Sequence, residues 1–478
     1  MGKDPGCNGN KPALRIVVME LSKMKLQFER VPVRKIVGIL VSAVLVLLVG
    51  NGLYGAPVAS SNMPSGVTTG QPVSLESRAA VLIEPETESI LYELNADEKI
   101  PPASLTKILT LYLVFEALEK GAVHLDDQVY ISHRAWKTGG SQMFLEVGHR
   151  VPLEELIKGI TVVSGNDACV AVAEHIAGTV ESFVALMNQK AQELGMTQSH
   201  FANAHGLPDP QEYSTARDLA KLSVAYIKRF PQALQYHSMR EFTFNNIVQY
   251  NRNHLLNKDP SVDGLKTGFV AAGGYHLIAT ARRDGMRLIA VVLGAAKPSI
   301  RERDAMQLLN YGFRSYALIK PVNSSETVGT IKVWKGVKNS VAVYPLESRV
   351  FLVSKGEEKK IKTSVELLPE LVAPVRAGQT VGHINVIKGE EVVETVAVVA
   401  GEDVDRAGFF KRTWHSIQRL FTKSSEPSSF QLPGMKTLAK IGGGVIGLLI
   451  VLAILVKLIR RRKRRSSLQK RIPVMRRR

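Results

Sequence analysis

Three short groups of residues carry the chemistry open to this chain. Ser104-Leu105-Thr106-Lys107 follows two prolines and opens an apolar run; Ser164-Gly165-Asn166 comes next, and Lys266-Thr267-Gly268 last. A serine hydroxyl is a poor nucleophile at neutral pH, and a lysine that burial deprives of its charge can act as its base. Ser104 and Lys107, three residues apart on a helix, share one face. At a helix break, Ser164 can relay a proton, and Asn166 can bind an amide and orient the lysine. Lys266 and Thr267 suit a terminal carboxylate, and Gly268 leaves room for a peptide backbone beside a strand. Together these are the parts of an acyl-transfer enzyme acting on a peptide with a free carboxylate end.

Order and context select this set. Ser467-x-x-Lys470, Ser60-Ser61-Asn62 and Lys137-Thr138-Gly139 repeat the patterns in a basic tail, a linker and a loop. Each group alone reads as readily as a helix start with a surface lysine, an N-cap, or an edge strand guarded by a lysine. Cys169 reads as a small buried residue. His205 and His276 read as structural, and no ligand spacing marks a metal site or a cofactor.

The elements that must position these groups follow from periodicity. Ala79 to Glu84 and Ser89 to Leu94 read as strands around a turn, and Ser104 to Glu119 as a helix apolar nearly all round. Leu153 to Ala177 is helical with a break at Ser164 to Asp167; Val180 to Leu194 and Ala216 to Phe230 continue the helical pattern. Glu241 to Gln249 reads as one strand. Lys266 to Phe269, Tyr275 to Ala281 and Arg287 to Gly294 read as three more, the last two joined at Asp284-Gly285. The expected fold is α/β (α+β): an antiparallel sheet beside a helical cluster. Beyond Ile319, short β-rich runs between Gly and Pro turns predict a small all-β domain. Phe410, Trp414, Ile417 and Phe421 then fall on one face of a basic helix. Such a helix suits a membrane surface or packs on the β domain.

The 478 residues carry a formal charge of +19, which would suit a nucleic-acid binder until it is located. Residues 1–35 hold +5 and residues 457–478 hold +12, leaving +2 between them. The excess flanks two apolar stretches, Ile36 to Tyr54 and Ile441 to Ile459, each about long enough to cross a bilayer. This is a membrane pattern and argues against a nucleic-acid partner. The first stretch reads as a signal peptide or signal anchor. The second, followed by Arg460 to Arg465, puts the tail in the cytoplasm and the body outside the inner membrane. The expected domains are a leader and anchor over 1–59, a linker over 60–77, a catalytic domain over 78–320 and a β domain over 321–408. An amphipathic helix over 409–423, a linker over 424–438, a spanning helix over 439–459 and a basic tail over 460–478 complete the chain.

Around these motifs the chain resembles the penicillin-binding-protein-5-like D-alanyl-D-alanine carboxypeptidases. The likeness runs through Gly140-Ser141-Gln142-Met143-Phe144, Ser164 to Cys169, His205-Gly206-Leu207, Val262 to Gly268 and Ala272-Gly273-Gly274-Tyr275. It continues into the β-rich part at Ala373-Pro374-Val375 and Ala407-Gly408-Phe409-Phe410. The resemblance implies a penicillin-recognising serine-transferase domain followed by a β-sandwich. It further implies a peptidoglycan stem peptide ending in D-Ala-D-Ala as substrate and β-lactams as inhibitors. On that pattern Ser104 is the nucleophile, Lys107 its base, and Ser164 and Asn166 the proton shuttle and peptide support. Lys266 and Thr267, with Arg252, bind the carboxylate, and the backbone N–H groups of Ser104 and Phe269 form the oxyanion hole. Two departures stand out: Val270 replaces a small polar residue, and a spanning helix follows the amphipathic one. A DD-endopeptidase, a β-lactamase using Glu241 in Glu-x-x-Phe-Asn, and a non-catalytic wall sensor remain as alternatives.

Overall fold

The computed structural model describes residues 73–422, together with Ile454 and Lys457, which are helical. The leader, the first apolar stretch, the second apolar stretch apart from those two residues, and the basic tail therefore lie outside the described residues.

The catalytic region is built on a five-stranded antiparallel sheet. Its strands are β1 (Ala79–Glu84), β2 (Ser89–Leu94), β7 (Val262–Val270), β8 (Gly274–Arg283) and β9 (Met286–Ala295), in the order β2-β1-β9-β8-β7. Between them come two small pairs, β3 (Gln128–Tyr130) with β4 (Arg150–Pro152) and β5 (Glu241–Phe244) with β6 (Ile247–Tyr250). The central strands are buried on both faces, so alternate residues enter different cores. Val81, Ile83, Ile289 and Val291 face a helical cluster of α1 (Lys107–Glu119), α2 (Leu153–Lys158), α3 (Asn166–Ala177), α4 (Val180–Glu193) and α5 (Ala216–Arg229). Ala80, Leu82, Leu288 and Ala290 face α6 (Pro298–Ser315) on the other side. As its pattern predicts, α1 is buried on all sides from Ile108 to Ala117.

Several boundaries differ from the sequence reading. The segment from Ser104 starts as a tight 3₁₀ turn, Ala103–Thr106, before α1 begins. Glu241 to Gln249 is a hairpin, because Asn245 and Asn246 both adopt positive φ, at 48° and 61°. Asparagine tolerates that conformation, and two such residues make the turn whose twist matches paired strands. The strand holding Lys266 reaches back to Val262 and forms the sheet edge, as expected.

The C-terminal domain is all-β. A six-stranded sheet runs β14-β16-β17-β12-β11-β15 through β11 (Gly329–Trp334), β12 (Ser340–Pro345), β14 (Ile361–Leu367), β15 (Glu370–Val372), β16 (Thr380–Lys388) and β17 (Glu391–Ala400). Beside it, β10 (Tyr316–Val322) pairs with β13 (Arg349–Ser354). Val343, Val375, Val381, Val386 and Val398 fill its core. Helix α7 (Phe409–Thr422) packs on the β domain, one of its two sequence readings. His415 Nδ1 accepts from Lys335 N at 2.9 Å and Lys411 Nζ donates to Val337 O at 2.8 Å, docking one side on the β domain. Phe410 and Trp414 remain 89% and 60% exposed on the helix.

Candidate active site

The turn after Pro101-Pro102 brings the first pair together. A 3₁₀ helix has three residues per turn, so side chains at i and i+3 eclipse, which sets Ser104 above Lys107. Lys107 Nζ donates to Ser104 Oγ at 2.9 Å, to Asn166 Oδ1 at 2.7 Å and to His205 O at 2.5 Å. Three acceptors use all three protons of an ammonium. With one proton gone, the lone pair can receive the Ser104 hydroxyl hydrogen while the other two contacts hold the amine in place. The side chain is 0% exposed, and burial brings its pKa down from 10.5 to about 8. At pH 7 that leaves roughly a tenth of the amine uncharged.

The second group sits where the helix line breaks. After α2 the chain widens into a π turn, Gly159–Val163, and Ser164 takes a left-handed conformation with φ 64°. A non-glycine residue there costs roughly 1–2 kcal/mol. Among the described residues, Ser164 Oγ is buried with no hydrogen-bond partner, so the strained residue aims an unsatisfied hydroxyl at the cleft. Helix α3 restarts at Asn166, whose Nδ2 donates to Gly139 O at 2.8 Å and whose N donates to Ser141 O at 2.7 Å. With Oδ1 on Lys107, this amide orients the lysine and supports the loop over it. Asp167 completes the tie by accepting from the backbone N–H groups of Met143, Leu145 and Ala168.

The third wall is the edge strand β7. Lys266 and Thr267 are buried, and Lys266 Nζ reaches Thr267 O at 3.3 Å. Burial, then the positive charges of Lys107 and Arg252, hold the Lys266 ammonium well below its usual pKa. An arriving carboxylate would reverse that balance. Gly268 has a packing reason besides the one expected. A Cβ there would lie 3.1 Å from Pro102 O and 3.4 Å from Ala103 Cβ, so the absent side chain lets the Ser104 turn pack on the strand. Gly206 is tighter still: a Cβ would fall 1.9 Å from Ala103 O, and its φ is +82°.

Ser104, Ser164, Asn166, Arg252, Thr267, Gly268 and Phe269 all line one open cleft of about 490 Å³. Arg252 Nη1 donates to Ser141 Oγ at 2.7 Å, and Phe269 stacks on Tyr275 with ring centres 4.3 Å apart. Arg301, which stands in none of the three motifs, also lines the cleft. It is 6% exposed, makes only long contacts of 3.3–3.4 Å to backbone carbonyls, and leaves Nε without a partner among the described residues. No local motif marks it. His205 is more than structural filler, since its carbonyl holds Lys107 Nζ, although its ring stays neutral with a pKa near 3 through burial. His276 is buried as expected. Gly294 N donates to its Nδ1, so Nε2–H donates to Pro101 O, which braces the segment before Ser104. Cys169 is 0% exposed, and burial pushes its thiol to about 12. Glu241, the base a β-lactamase alternative would need, lies exposed on β5 and does not line the cleft.

The fold and cleft define a serine acyl-transfer enzyme of the penicillin-binding type, and comparison with known proteins agrees. Residues 66–297 match the D-alanyl-D-alanine carboxypeptidase (peptidase S11) family, and residues 316–406 match the penicillin-binding protein 5 C-terminal domain. The chain is 41% identical over 356 residues to D-alanyl-D-alanine carboxypeptidase DacC of Escherichia coli K12, covering 73% of this chain and 89% of that one. It is 38% identical over 347 residues to DacF of Bacillus subtilis, covering 71% and 89%. The crystal structure of penicillin-binding protein 5 from Haemophilus influenzae superposes with a TM-score of 0.60 at 36% identity, covering 70% of this chain and all of that one. The chain belongs to the S11 family of D-alanyl-D-alanine carboxypeptidases.

Proposed function

We propose that this S11 peptidase removes the terminal D-alanine of peptidoglycan stem peptides through an ester on Ser104. The carrying observation is the buried Lys107 amine 2.9 Å from Ser104 Oγ at the wall of the cleft. Lys107 takes the hydroxyl proton as Ser104 Oγ attacks the carbonyl of the penultimate D-alanine. The oxyanion faces the backbone N–H groups of Ser104 and Phe269. Ser164 Oγ passes a proton to the departing amine, and the terminal D-alanine leaves. Water then cleaves the ester, releasing the shortened peptide as a carboxylate and restoring Ser104. Lys266, Thr267, Arg252 and Arg301 receive the substrate's terminal carboxylate, which restores the Lys266 charge that burial opposes. β-Lactams enter the same way. Ring opening leaves the departing nitrogen tethered, so the Ser104 ester outlasts a normal turnover. Mass spectrometry of penicillin-treated protein should place one adduct on Ser104, and an adduct elsewhere overturns the assignment. Muropeptide products should lose one alanine with crosslinked dimers left intact; dimer cleavage would indicate an endopeptidase.

The same reading sets the protein in the inner membrane with its catalytic domain outside the cytoplasm. Support comes from the two apolar stretches, the +12 tail and the exposed Phe410 and Trp414 beside Lys411 and Arg412 on α7. Protease added to spheroplasts should digest the catalytic domain and spare an epitope on the tail; the reverse pattern refutes this topology.

A further inference from the structure

One buried carboxyl has no part in the reaction just described. Glu212 is 4% exposed and touches both structures that meet at the Ser104–Lys107 pair. Its Oε1 accepts from Thr106 Oγ1 at 2.6 Å, inside the Ser-x-x-Lys turn itself. Its Oε2 accepts from Asn203 Nδ2 at 2.7 Å. Asn203 in turn rivets the following loop: its Oδ1 accepts from His205 N at 3.1 Å and Gly206 N at 2.6 Å, and its Nδ2 reaches Leu207 O at 3.0 Å. That loop supplies the His205 carbonyl bound to Lys107 Nζ and the Gly206 seat pressed on Ala103.

We propose that Glu212 is a positioning residue that fastens the nucleophile turn to the loop holding the Lys107 amine, and that its charge governs how firmly Lys107 keeps its proton. The inference rests on the Ser104–Lys107 reading above. Burial raises the Glu212 carboxyl to about 7, with Lys107 opposing that rise and Asp209 adding to it. The Lys107 amine, brought down first by burial, is raised by Cys169, Glu212 and Asp167 and lowered further by Arg252. Lys107 also lowers His205 and Lys266, so these groups titrate as a coupled set. Within that set Glu212 is a carboxyl hydrogen-bonded to the Ser-x-x-Lys turn, and its ionised form holds a proton on Lys107 that catalysis needs removed.

Glutamine at this position keeps the shape and both contacts, since its oxygen accepts from Asn203 and its NH₂ donates to Thr106 Oγ1. The decisive experiment is acylation of the full chain by a chromogenic penicillin between pH 5 and 9. For Glu212→Gln the upper part of the acid limb should move to lower pH, so the rate near pH 7.5, where Glu212 is ionised and Lys107 still largely protonated, rises about twofold relative to the plateau. Glu212→Ala, which drops both contacts, should lose about tenfold or more of the plateau rate. An unmoved acid limb in Glu212→Gln overturns the electrostatic role, and a wild-type plateau in Glu212→Ala overturns the positioning role. Should the alanine variant not fold, the glutamine profile alone decides. Mapping the adduct in every variant separates this inference from its foundation. Label away from Ser104 defeats the assignment of the nucleophile, whereas label on Ser104 with unchanged profiles defeats only Glu212.

Discussion

The two domains treat buried polarity in opposite ways. Among the described residues, every buried polar or charged side chain lies between Ser77 and Asp304, whereas the C-terminal core from Val322 to Val404 is wholly apolar. The β domain keeps its charges outside, in pairs such as Arg376 with Asp403 and Asp405. The catalytic domain instead encloses two lysines, two histidines, a left-handed serine and several carboxyls. Burying such groups opposes stability unless each is paired, and here the pairing is incomplete at Ser164 and Arg301. Packing alone accounts for the β domain; the cleft needs chemistry to account for it.

The sharpest way to break this contrast is at its centre. Ser104→Ala should fold normally, form no penicillin adduct and lose roughly a thousandfold or more of carboxypeptidase activity. Retained labelling of that variant would show that the enclosed lysine serves some other group.

Next in size is the pH dependence of acylation. Burial depresses the Lys107 pKa to about 8, so the free amine grows about tenfold per pH unit below that value and levels above it. Pre-steady-state acylation should follow this limb. A rate flat from pH 6 to 8 would mean that Lys107 is not the titrating base.

Stability should divide between the domains as well. Burial holds His205 and His237 at about 3 and His276 at about 4, all below the ordinary 6.5. The unfolded chain gains these protons as pH falls through 6.5, while the folded chain refuses them until near 4 at His276 and near 3 at the other two. Their contribution is therefore complete above pH 6.5 and is lost between 6.5 and 3, with a few kcal/mol from His276 alone gone by pH 4. Glu212, raised to about 7, acts in the opposite sense and offsets part of the loss. Urea melts followed by penicillin labelling should shift to lower denaturant between pH 7 and 5. A midpoint unmoved over that range would contradict buried neutral imidazoles.

The same contrast explains what was legible in the sequence. Strands β1, β2, β16 and the apolar helix α1 announce themselves by local period, and Ser104, Lys107, Ser164, Asn166 and Lys266 by ordered motif. The hairpin at Asn245-Asn246 was read as one strand because the turn signal lacks glycine. Arg301, the His205 carbonyl and Glu212 were missed for a deeper reason. Each acts through a partner far along the chain, as in the 106-residue span between Thr106 and Glu212, and local spacing carries no trace of it. At Gly268 the motif shows the position but not its second, packing role, because the neighbour it makes room for, Pro102, lies far along the chain.

The smallest effect expected is at the surface of the β domain, and it bears on whether outside charges there do anything for the fold. Arg376 Nη1 sits 3.2 Å from Asp403 and 3.0 Å from Asp405, with all three side chains more than half exposed. Water already solvates such charges, salt screens them, and holding long side chains in register costs entropy. Arg376→Ala should therefore leave the melting temperature and the Ser104 acylation rate unchanged within error. A clear drop in melting temperature would show that the rim pairs brace the Val375–Val404 bridge beneath them, and that the β domain also depends on charge.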